Sequence, residues 1–269
     1  MMRDPAFFKP TTLEDALRLL REHQGALLIA GGQHLVPRLD EYAEKTPALI
    51  NIEGLQDLRG VSRAASRLRI GAAETHGAIS RDAVVKDAIP ALAELAGDIG
   101  DLQVRNRGTI GGAVMSGVLN SDYRAALLAL DAQLITAGAT IDADKIDARP
   151  DLPSGDILVA IDFAIPARAE FIKHVHPAAG YADLAIMLAQ HADGGLRLAL
   201  IGEGRRPERL HRVEDALAKN KADRSAAIRA LDDAVAGDAS LELSDYHAHL
   251  LRRDIVALAQ RMLGLDLTS

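Results

Sequence analysis

The first third of the chain alternates a helical pattern with short, largely apolar segments, and this alternation restricts the fold more than any other feature of the sequence. Leu13, Ala16 and Leu20 share one helical face, and Thr11 and Glu14 have the spacing of a capping box. A short apolar segment bounded by glycine or polar residues is typical of a buried strand. The alternation therefore predicts an α/β or α+β beginning. The predicted strands are residues 26–30, 48–52 and 68–72.

The second half of the sequence changes from strand patterns to mainly helical ones. Residues 142–154 are polar, contain proline and lack periodicity, so we interpret them as a loop. The final predicted helix carries Leu251, Ile255 and Leu258 on one face. The change in character places a domain boundary near residue 167. The other predicted helices are residues 89–100, 122–133 and 183–191, and the other predicted strands are residues 157–163, 171–175 and 196–201.

Composition excludes several classes of function. The 269 residues include no cysteine, which removes disulfides, iron–sulfur ligation and thiol nucleophiles. A net charge of -7 argues against general nucleic-acid binding, which needs a basic surface. No apolar run approaches the roughly 20 residues that cross a bilayer, and the charged, proline-containing start is not typical of a secretory signal. We therefore expect a cytoplasmic protein without membrane insertion.

Two glycine clusters are the strongest candidates for ligand binding. Residues 30–35 read Ala-Gly-Gly-Gln-His-Leu after a predicted strand, and residues 108–112 read Gly-Thr-Ile-Gly-Gly. Because glycine permits positive φ and close approach, the backbone N–H groups of such a loop can converge on an anion such as a diphosphate. Either cluster alone is more often a tight turn. Neither is a dinucleotide-binding or P-loop fingerprint, which disfavours a Rossmann dehydrogenase and a P-loop NTPase.

Other polar residues give weaker signals. Arg105 and Arg107 precede the second cluster, where they either neutralise a diphosphate or hydrogen-bond the loop. His174 and His176 share one face of a predicted strand, which permits a metal pair but is more often a solvated face. No third metal ligand is near in sequence, and no Ser-His-Asp set has local support. We therefore predict neither catalytic nor metal-binding residues.

Several segments together carry a resemblance to a known family. The first four are IAGGQHLVPRL from residue 29, LRIGAAETH from residue 68, IGDLQVRNRGTIGG from residue 99 and SDYRAALLALDA from residue 121. With the later GYADLAIML and YHAHLLRRDIVALAQRML, the chain resembles the FAD-binding medium subunit of molybdenum hydroxylases, the carbon monoxide dehydrogenase and xanthine dehydrogenase relatives. The resemblance covers essentially the whole chain in the expected order.

This resemblance implies an α+β fold with two domains. Residues 1–166 would form an FAD-binding domain of two α+β subdomains, of the vanillyl-alcohol-oxidase or PCMH-like type. Residues 167–269 would form a small antiparallel sheet with helices, similar to the C-terminal domain of the CO dehydrogenase flavoprotein.

The resemblance also implies a cofactor site. The first glycine loop would wrap the FAD diphosphate, and the second would bind flavin and diphosphate. Asp122 would bind the adenosine part, Lys173 would lie near the flavin ring, and Ile99 and Leu158 would line the cofactor. In full, the implied FAD-binding residues are Leu28, Ile29, Ala30, Gly31, Gly32, Gln33, His34, Leu35, Ile99, Thr109, Ile110, Gly111, Gly112, Asp122, Leu158 and Lys173.

The sequence departs from the family pattern at three points. His34 replaces the usual serine of the first loop, Ala113 replaces the usual asparagine, and residues 118–122 lack the usual proline and first acid. Each lost hydrogen bond could cost about 0.5–1.5 kcal/mol. We therefore expect a weakened FAD affinity, with the backbone loops retained.

The function implied by the resemblance is electron transfer within a hetero-oligomeric oxidoreductase. An iron–sulfur small subunit would supply electrons, a molybdopterin-binding large subunit would carry out the hydroxylation, and NAD or another soluble compound would accept the electrons. FAD suits this relay because flavin accepts electrons singly and delivers two together. Two alternatives remain open at this stage: a stand-alone FAD oxidoreductase and a flavin-free interaction scaffold.

Overall fold

The chain forms two compact units. A computed structural model describes residues 5–42, 46–145, 152–176, 180–202, 204–219, 229, 232–233 and 244–263. The first unit comprises the described residues of 1–88, 92–118 and 131–164, and the second comprises those of 89–91, 119–130 and 165–269. Residues 119–130 thus belong to the second unit, although the sequence prediction puts them in the first domain. The predicted domain division between residues 166 and 167 stays a prediction.

The first unit contains a small parallel sheet and a larger antiparallel sheet. Its strands are β1 (Ala6–Phe8), β2 (Leu27–Ile29), β3 (Ala48–Asn51), β4 (Val61–Ala64), β5 (Arg67–Gly71), β6 (Gln133–Thr136), β7 (Thr140–Asp142) and β8 (Leu158–Ala164). In the parallel sheet β3 lies between β1 and β2. The antiparallel sheet has the order β4-β5-β8-β6-β7, so the buried strand β8 is central.

Short helices lie between these strands along the chain. They are α1 (Leu13–Glu22), α2 (Leu39–Tyr42), α3 (His76–Arg81), α4 (Ala83–Ala88), α5 (Pro90–Gly97), α6 (Leu102–Arg107) and α7 (Ile110–Met115). Helix α1 buries Ala16 and Leu19 in a cluster with Ile50 of β3, which explains its apolar face. Its N-cap is Thr12, whose side chain accepts from the Asp15 N–H at 3.1 Å, so the cap predicted at Thr11 is wrong by one residue.

The second unit is an antiparallel sheet covered by helices. Its elements are α8 (Asp122–Ala129), β9 (Arg168–Val175), β10 (Ala182–Gln190), β11 (Leu196–Gly202), β12 (Glu208–Arg209), α9 (His211–Lys219) and α10 (Asp245–Leu263). The strand order is β12-β11-β10-β9. Ile186 and its neighbours on one face join a core cluster with α9 and α10, including Leu251, Ile255 and Leu258 of the predicted final helix. Helix α8 also packs against β10 and β11.

The helix predicted at residues 183–191 is wrong, because this segment is strand β10. Both faces of β10 are buried: Ile186 lies in the main cluster, and the alternating residue Met187 is fully buried as well. A strand covered on both faces loses the polar–apolar alternation that identifies strands. Its alanine, leucine and methionine residues also favour helix in isolation. The tertiary environment therefore decides against the local preference.

The remaining predicted elements are confirmed with shifted ends. The helix predicted to reach residue 133 ends at Ala129, and Gln133 already begins β6. Asp131, between them, has a φ of 48°, which breaks the helix. Of the predicted loop, residues 143–145 form a short 3₁₀ turn, and residues 146–151 lie outside the described residues. The α+β class is confirmed. None of the helices that the structure describes is long and apolar enough to cross a bilayer.

Candidate functional site

The first glycine loop leaves the carboxyl end of β2 with several unused backbone donors. Gly32 has a φ of 74°, and its carbonyl accepts from the Val36 N–H at 2.9 Å, which closes a single helical turn. Within the described residues, the N–H groups of Gly32, Gln33 and Leu35 donate to no other group of the protein. Backbone N–H groups that are not paired inside the protein must be satisfied by water or by a ligand. This loop therefore has the donor set that an anion requires.

Most backbone N–H groups of the second glycine loop donate to acceptors within the protein. The N–H of Ile110 donates to the Glu74 carbonyl at 3.0 Å, and that of Gly111 donates to the Ala72 carbonyl at 2.9 Å. Thr109 is the N-cap of α7, and its hydroxyl oxygen accepts from the Gly112 N–H at 3.2 Å. The N–H groups of Gly32, Gln33 and Leu35 in the first loop thus have no acceptor among the described groups, whereas the second loop offers the Thr109 hydroxyl proton and the exposed backbone of Gly112.

Glycine at position 111 is required by packing. A Cβ there would lie 2.6 Å from the Ala72 carbonyl oxygen and 2.8 Å from the Ala72 Cβ. The second loop therefore packs directly against Ala72, the residue that follows β5, and Gly111 is buried. Close approach, rather than positive φ, explains this glycine.

The two glycine loops touch each other through backbone atoms. A Cβ on Gly31 would lie 1.9 Å from the Arg107 carbonyl oxygen and 2.9 Å from the Gly108 Cα. These distances leave no room for a side chain at position 31. The guanidinium of Arg107 forms an ion pair with Glu53 at 3.3 Å, just beyond the end of β3. The structure thus joins the two predicted loops at the edge of the parallel sheet.

Two histidines lie beside this junction. His76, the first residue of α3, is 3% exposed, and its burial, with smaller contributions from His34 and the Arg105 guanidinium, lowers its pKa to about 4. His34, in the first loop, also has a lowered pKa, through burial and the Arg38 guanidinium. Both rings are therefore neutral near pH 7. Sequence reasoning missed His76, although it ends the LRIGAAETH segment.

The remaining predicted residues of the first unit lie on supporting elements. Leu28 and Ile29 belong to β2, and Leu158 is buried at the start of β8. The Ile99 carbonyl accepts from Arg105 Nη1 at 3.2 Å, and the Gly100 carbonyl accepts from the same nitrogen at 2.6 Å. Arg105 thus hydrogen-bonds the backbone just before α6 and not the glycine loop that the sequence interpretation named.

Asp122 and Lys173 lie in the second unit and pair with each other. Lys173 Nζ donates to Asp122 Oδ2 at 2.6 Å, and the side chains are 4% and 6% exposed. Asp122 begins α8, and Lys173 lies in β9 opposite Ala185 of β10. Burial and the Asp122 carboxylate raise the pKa of the adjacent Tyr123. Sequence reasoning gave each residue a separate contact with FAD and did not foresee this ion pair.

His174, one of the two histidines considered as metal ligands, takes other partners. His174 Nε2 lies 2.5 Å from Asp254 Oδ2, and Arg253 contacts the same nitrogen at 3.2 Å. Among the described residues no group of three or more His, Cys, Asp or Glu side chains could hold a metal ion.

The structure also contains a Ser–His–Asp chain that the sequence does not reveal. His247 lies 3.0 Å from Ser244 Oγ through Nδ1 and 3.0 Å from Asp183 Oδ2 through Nε2. The Ser244 hydroxyl oxygen accepts from the His247 N–H at 3.2 Å, and the Ser244 carbonyl accepts from Ala248. Ser244 is therefore occupied as a cap of α10, and the chain fastens this helix to β10.

The comparisons with known proteins agree with this geometry. The sequence model of the family described as FAD binding domain in molybdopterin dehydrogenase matches residues 2–163. The nicotine 6-hydroxylase medium subunit of Paenarthrobacter nicotinovorans is 28% identical over 285 residues, which cover 97% of this chain and 100% of that one. The glyceraldehyde dehydrogenase medium chain of Sulfolobus acidocaldarius is 28% identical over 222 residues, which cover 78% of this chain and 79% of that one.

A solved structure matches the whole fold. Carbon monoxide dehydrogenase from Hydrogenophaga pseudoflava, solved in a form that lacks the Mo-pyranopterin moiety of its molybdenum cofactor, has a TM-score of 0.82 and 26% identity to this chain, with 98% of both chains covered. The chain belongs to the family of FAD binding domains in molybdopterin dehydrogenases. The predicted resemblance and FAD as the cofactor are confirmed.

The buried ion pair generates a stability prediction. We expect Lys173→Met to lower the free energy of unfolding by about 3–5 kcal/mol, because the Asp122 carboxylate then loses its ammonium partner in a buried position. Urea denaturation followed by circular dichroism measures this change. The matched control is Lys219→Met, which removes an exposed pair with Asp215 and should change stability little.

A double-mutant cycle identifies the origin of that loss. Asp122→Asn combined with Lys173→Met should be more stable than the sum of the two single changes predicts, because neither charge is then buried alone. Strictly additive effects of the two substitutions would show that the pair does not act as a unit.

Proposed function

We propose that this chain is the FAD-binding, electron-transferring medium subunit of a molybdenum-containing hydroxylase or dehydrogenase complex. The observation that carries the proposal is the first glycine loop, where the N–H groups of Gly32, Gln33 and Leu35 stay unused by the described protein groups. In a family that binds FAD, such donors fit the cofactor's diphosphate. The two relatives named as medium subunit and medium chain support the same place in a complex.

The protein's own residues would hold the cofactor without supplying redox chemistry. The N–H groups of the first loop would neutralise diphosphate charge, and the Thr109 hydroxyl would donate to an acceptor of the same cofactor. Arg107 would tie the start of the second loop to Glu53, just beyond the end of β3. When bound, FAD supplies the capacity to take up electrons singly and release them in pairs. The roles that the resemblance implies for Asp122 and Lys173 stay predictions.

Electrons would have to come from a partner. The chain contains no cysteine and so cannot hold an iron–sulfur cluster through thiolates. An iron–sulfur small subunit would deliver the electrons, and a molybdopterin-binding large subunit would take them from the organic substrate. NAD or another soluble compound would be the final acceptor. The cytoplasm is the compartment that this set of partners favours.

Substituting one glycine of the junction tests the proposed cofactor site. Gly31→Ala should abolish tight FAD binding, because its Cβ would lie 1.9 Å from the Arg107 carbonyl oxygen and would force the loops apart. Fluorescence quenching during titration with FAD measures the dissociation constant. Gly54→Ala is the matched control, since this nearby exposed glycine has nothing within 4 Å of its Cβ position. Unchanged FAD affinity in Gly31→Ala would mean that the junction does not form the site.

Reconstitution tests the electron-transfer role. The isolated chain should oxidise no organic substrate, because in the proposed complex the molybdenum centre of the large subunit, and not FAD, takes the electrons from the substrate. Assembled with its two partner subunits, its FAD should be reduced when the organic substrate is added. Stopped-flow absorbance at the oxidised flavin band follows this step. Turnover by the isolated chain would favour a stand-alone oxidoreductase, and equal acceptor reduction by an assembly depleted of FAD would favour a scaffold.

A further inference from the structure

His76 supports the junction of the two glycine loops from the buried side. Its backbone N–H donates to the Gly108 carbonyl at 3.0 Å, next to the bridge between Thr75 and Thr109. Its ring also lies against Gly108, since a Cβ at position 108 would be 2.8 Å from His76 Nε2 and 2.9 Å from Cδ2. His76 therefore contacts Gly108 both through its backbone N–H and through the Nε2 edge of its ring.

Gly108 in turn bears on the first loop. A Cβ placed on Gly31 would lie 2.9 Å from the Gly108 Cα and 1.9 Å from the carbonyl oxygen of Arg107, the residue before Gly108. A continuous series of contacts thus runs from His76 through Gly108 to Gly31. The next residue after Gly31 begins the row of N–H groups that donate to no described group. A displacement of Gly108 away from His76 would therefore move the loop that offers these donors.

The electrostatic environment keeps the His76 ring neutral. Burial is the main cause, and His34 of the first loop and Arg105 of α6 add smaller contributions. The pKa of His76 is lowered to about 4, so the imidazole carries no charge near pH 7. His34 is kept neutral by burial and by Arg38. A neutral side chain that reaches Gly108 can therefore stand in for the imidazole.

We propose that His76 is a positioning residue for FAD: the Nε2 edge of its ring holds Arg107 and Gly108 against Gly31, in the arrangement that presents the first loop to the cofactor. This inference rests on the proposed function, in which the first loop binds the FAD diphosphate. His76 itself is buried and acts through Gly108. Residues that only fill space in a core affect the stability of the fold, whereas a positioning residue also changes the affinity of the folded protein.

Two amide substitutions separate positioning from core filling. The amide nitrogen of glutamine reaches the place of the histidine Nε2, and the shorter asparagine reaches only that of Nδ1. We expect His76→Gln to bind FAD within about threefold of the wild type near pH 7, and His76→Asn to bind at least about tenfold more weakly. Both variants are neutral and differ by one methylene, so charge is held constant.

The measurement combines FAD titration with thermal melting of the cofactor-free protein. Dissociation constants are taken by flavin fluorescence well below the melting temperature of each variant, where the apo protein is fully folded. Under these conditions a loss of global stability alone leaves the dissociation constant unchanged. The proposal is supported when Gln retains affinity and Asn loses it.

Other outcomes overturn the inference. Equal FAD affinity of the wild type and His76→Asn would show that the ring does not position the loops. Equal weakening by both substitutions would show that contact at the Nε2 edge is not the relevant property. If His76→Asn does not fold, the His76→Gln variant alone decides. A folded His76→Gln protein that binds FAD at least about tenfold more weakly than the wild type overturns the inference, and one that binds FAD within about threefold of the wild type supports it. A wild-type protein that binds no FAD overturns the proposed function itself, which distinguishes the two failures.

Discussion

The carbonyl oxygen of Arg107 occupies the position where any side chain at residue 31 would begin. This contact between two backbones, from segments far apart in the sequence, determines how the site of the first unit is built. It places the loop after β2 beside the loop that caps α7, and it requires glycine at position 31 regardless of that residue's own backbone angles. Glu53 and Arg107 reinforce the arrangement from the exposed side, and His76 lies beneath it on the buried side.

The two glycine loops differ in where their backbone N–H groups donate. The second loop is fixed to the end of β5 and the start of α3 by its own N–H groups, so it is rigid before any ligand arrives. The first loop keeps its donors available and is held in place by contact with the second. A rigid support beside a set of unused donors is the arrangement that preorganises an anion site.

The sequence predicts the parts of this structure that depend on local composition. The glycine clusters, the amphipathic α1 and the final helix were all visible in the residues, and specific motifs led to the correct family. The helix predicted at residues 183–191 failed because burial on both faces of β10 hides its period. The mutual pairing of Asp122 with Lys173 and the contact of His76 with Gly108 span 51 and 32 residues of chain, which no local pattern contains. Which loop has paired N–H groups and which has unpaired ones could not be predicted for the same reason.

The measurement that tests the central claim most directly is a comparison of FAD with FMN on the cofactor-free protein. FMN carries the flavin ring but lacks the diphosphate and the adenosine part. If the unused N–H groups of the first loop form a diphosphate site, FAD should make several charge-assisted hydrogen bonds that FMN cannot make. The dissociation constant for FAD should then be lower than that for FMN by at least about tenfold. FMN that binds as tightly as FAD, or more tightly, would contradict the assignment of this loop to the diphosphate.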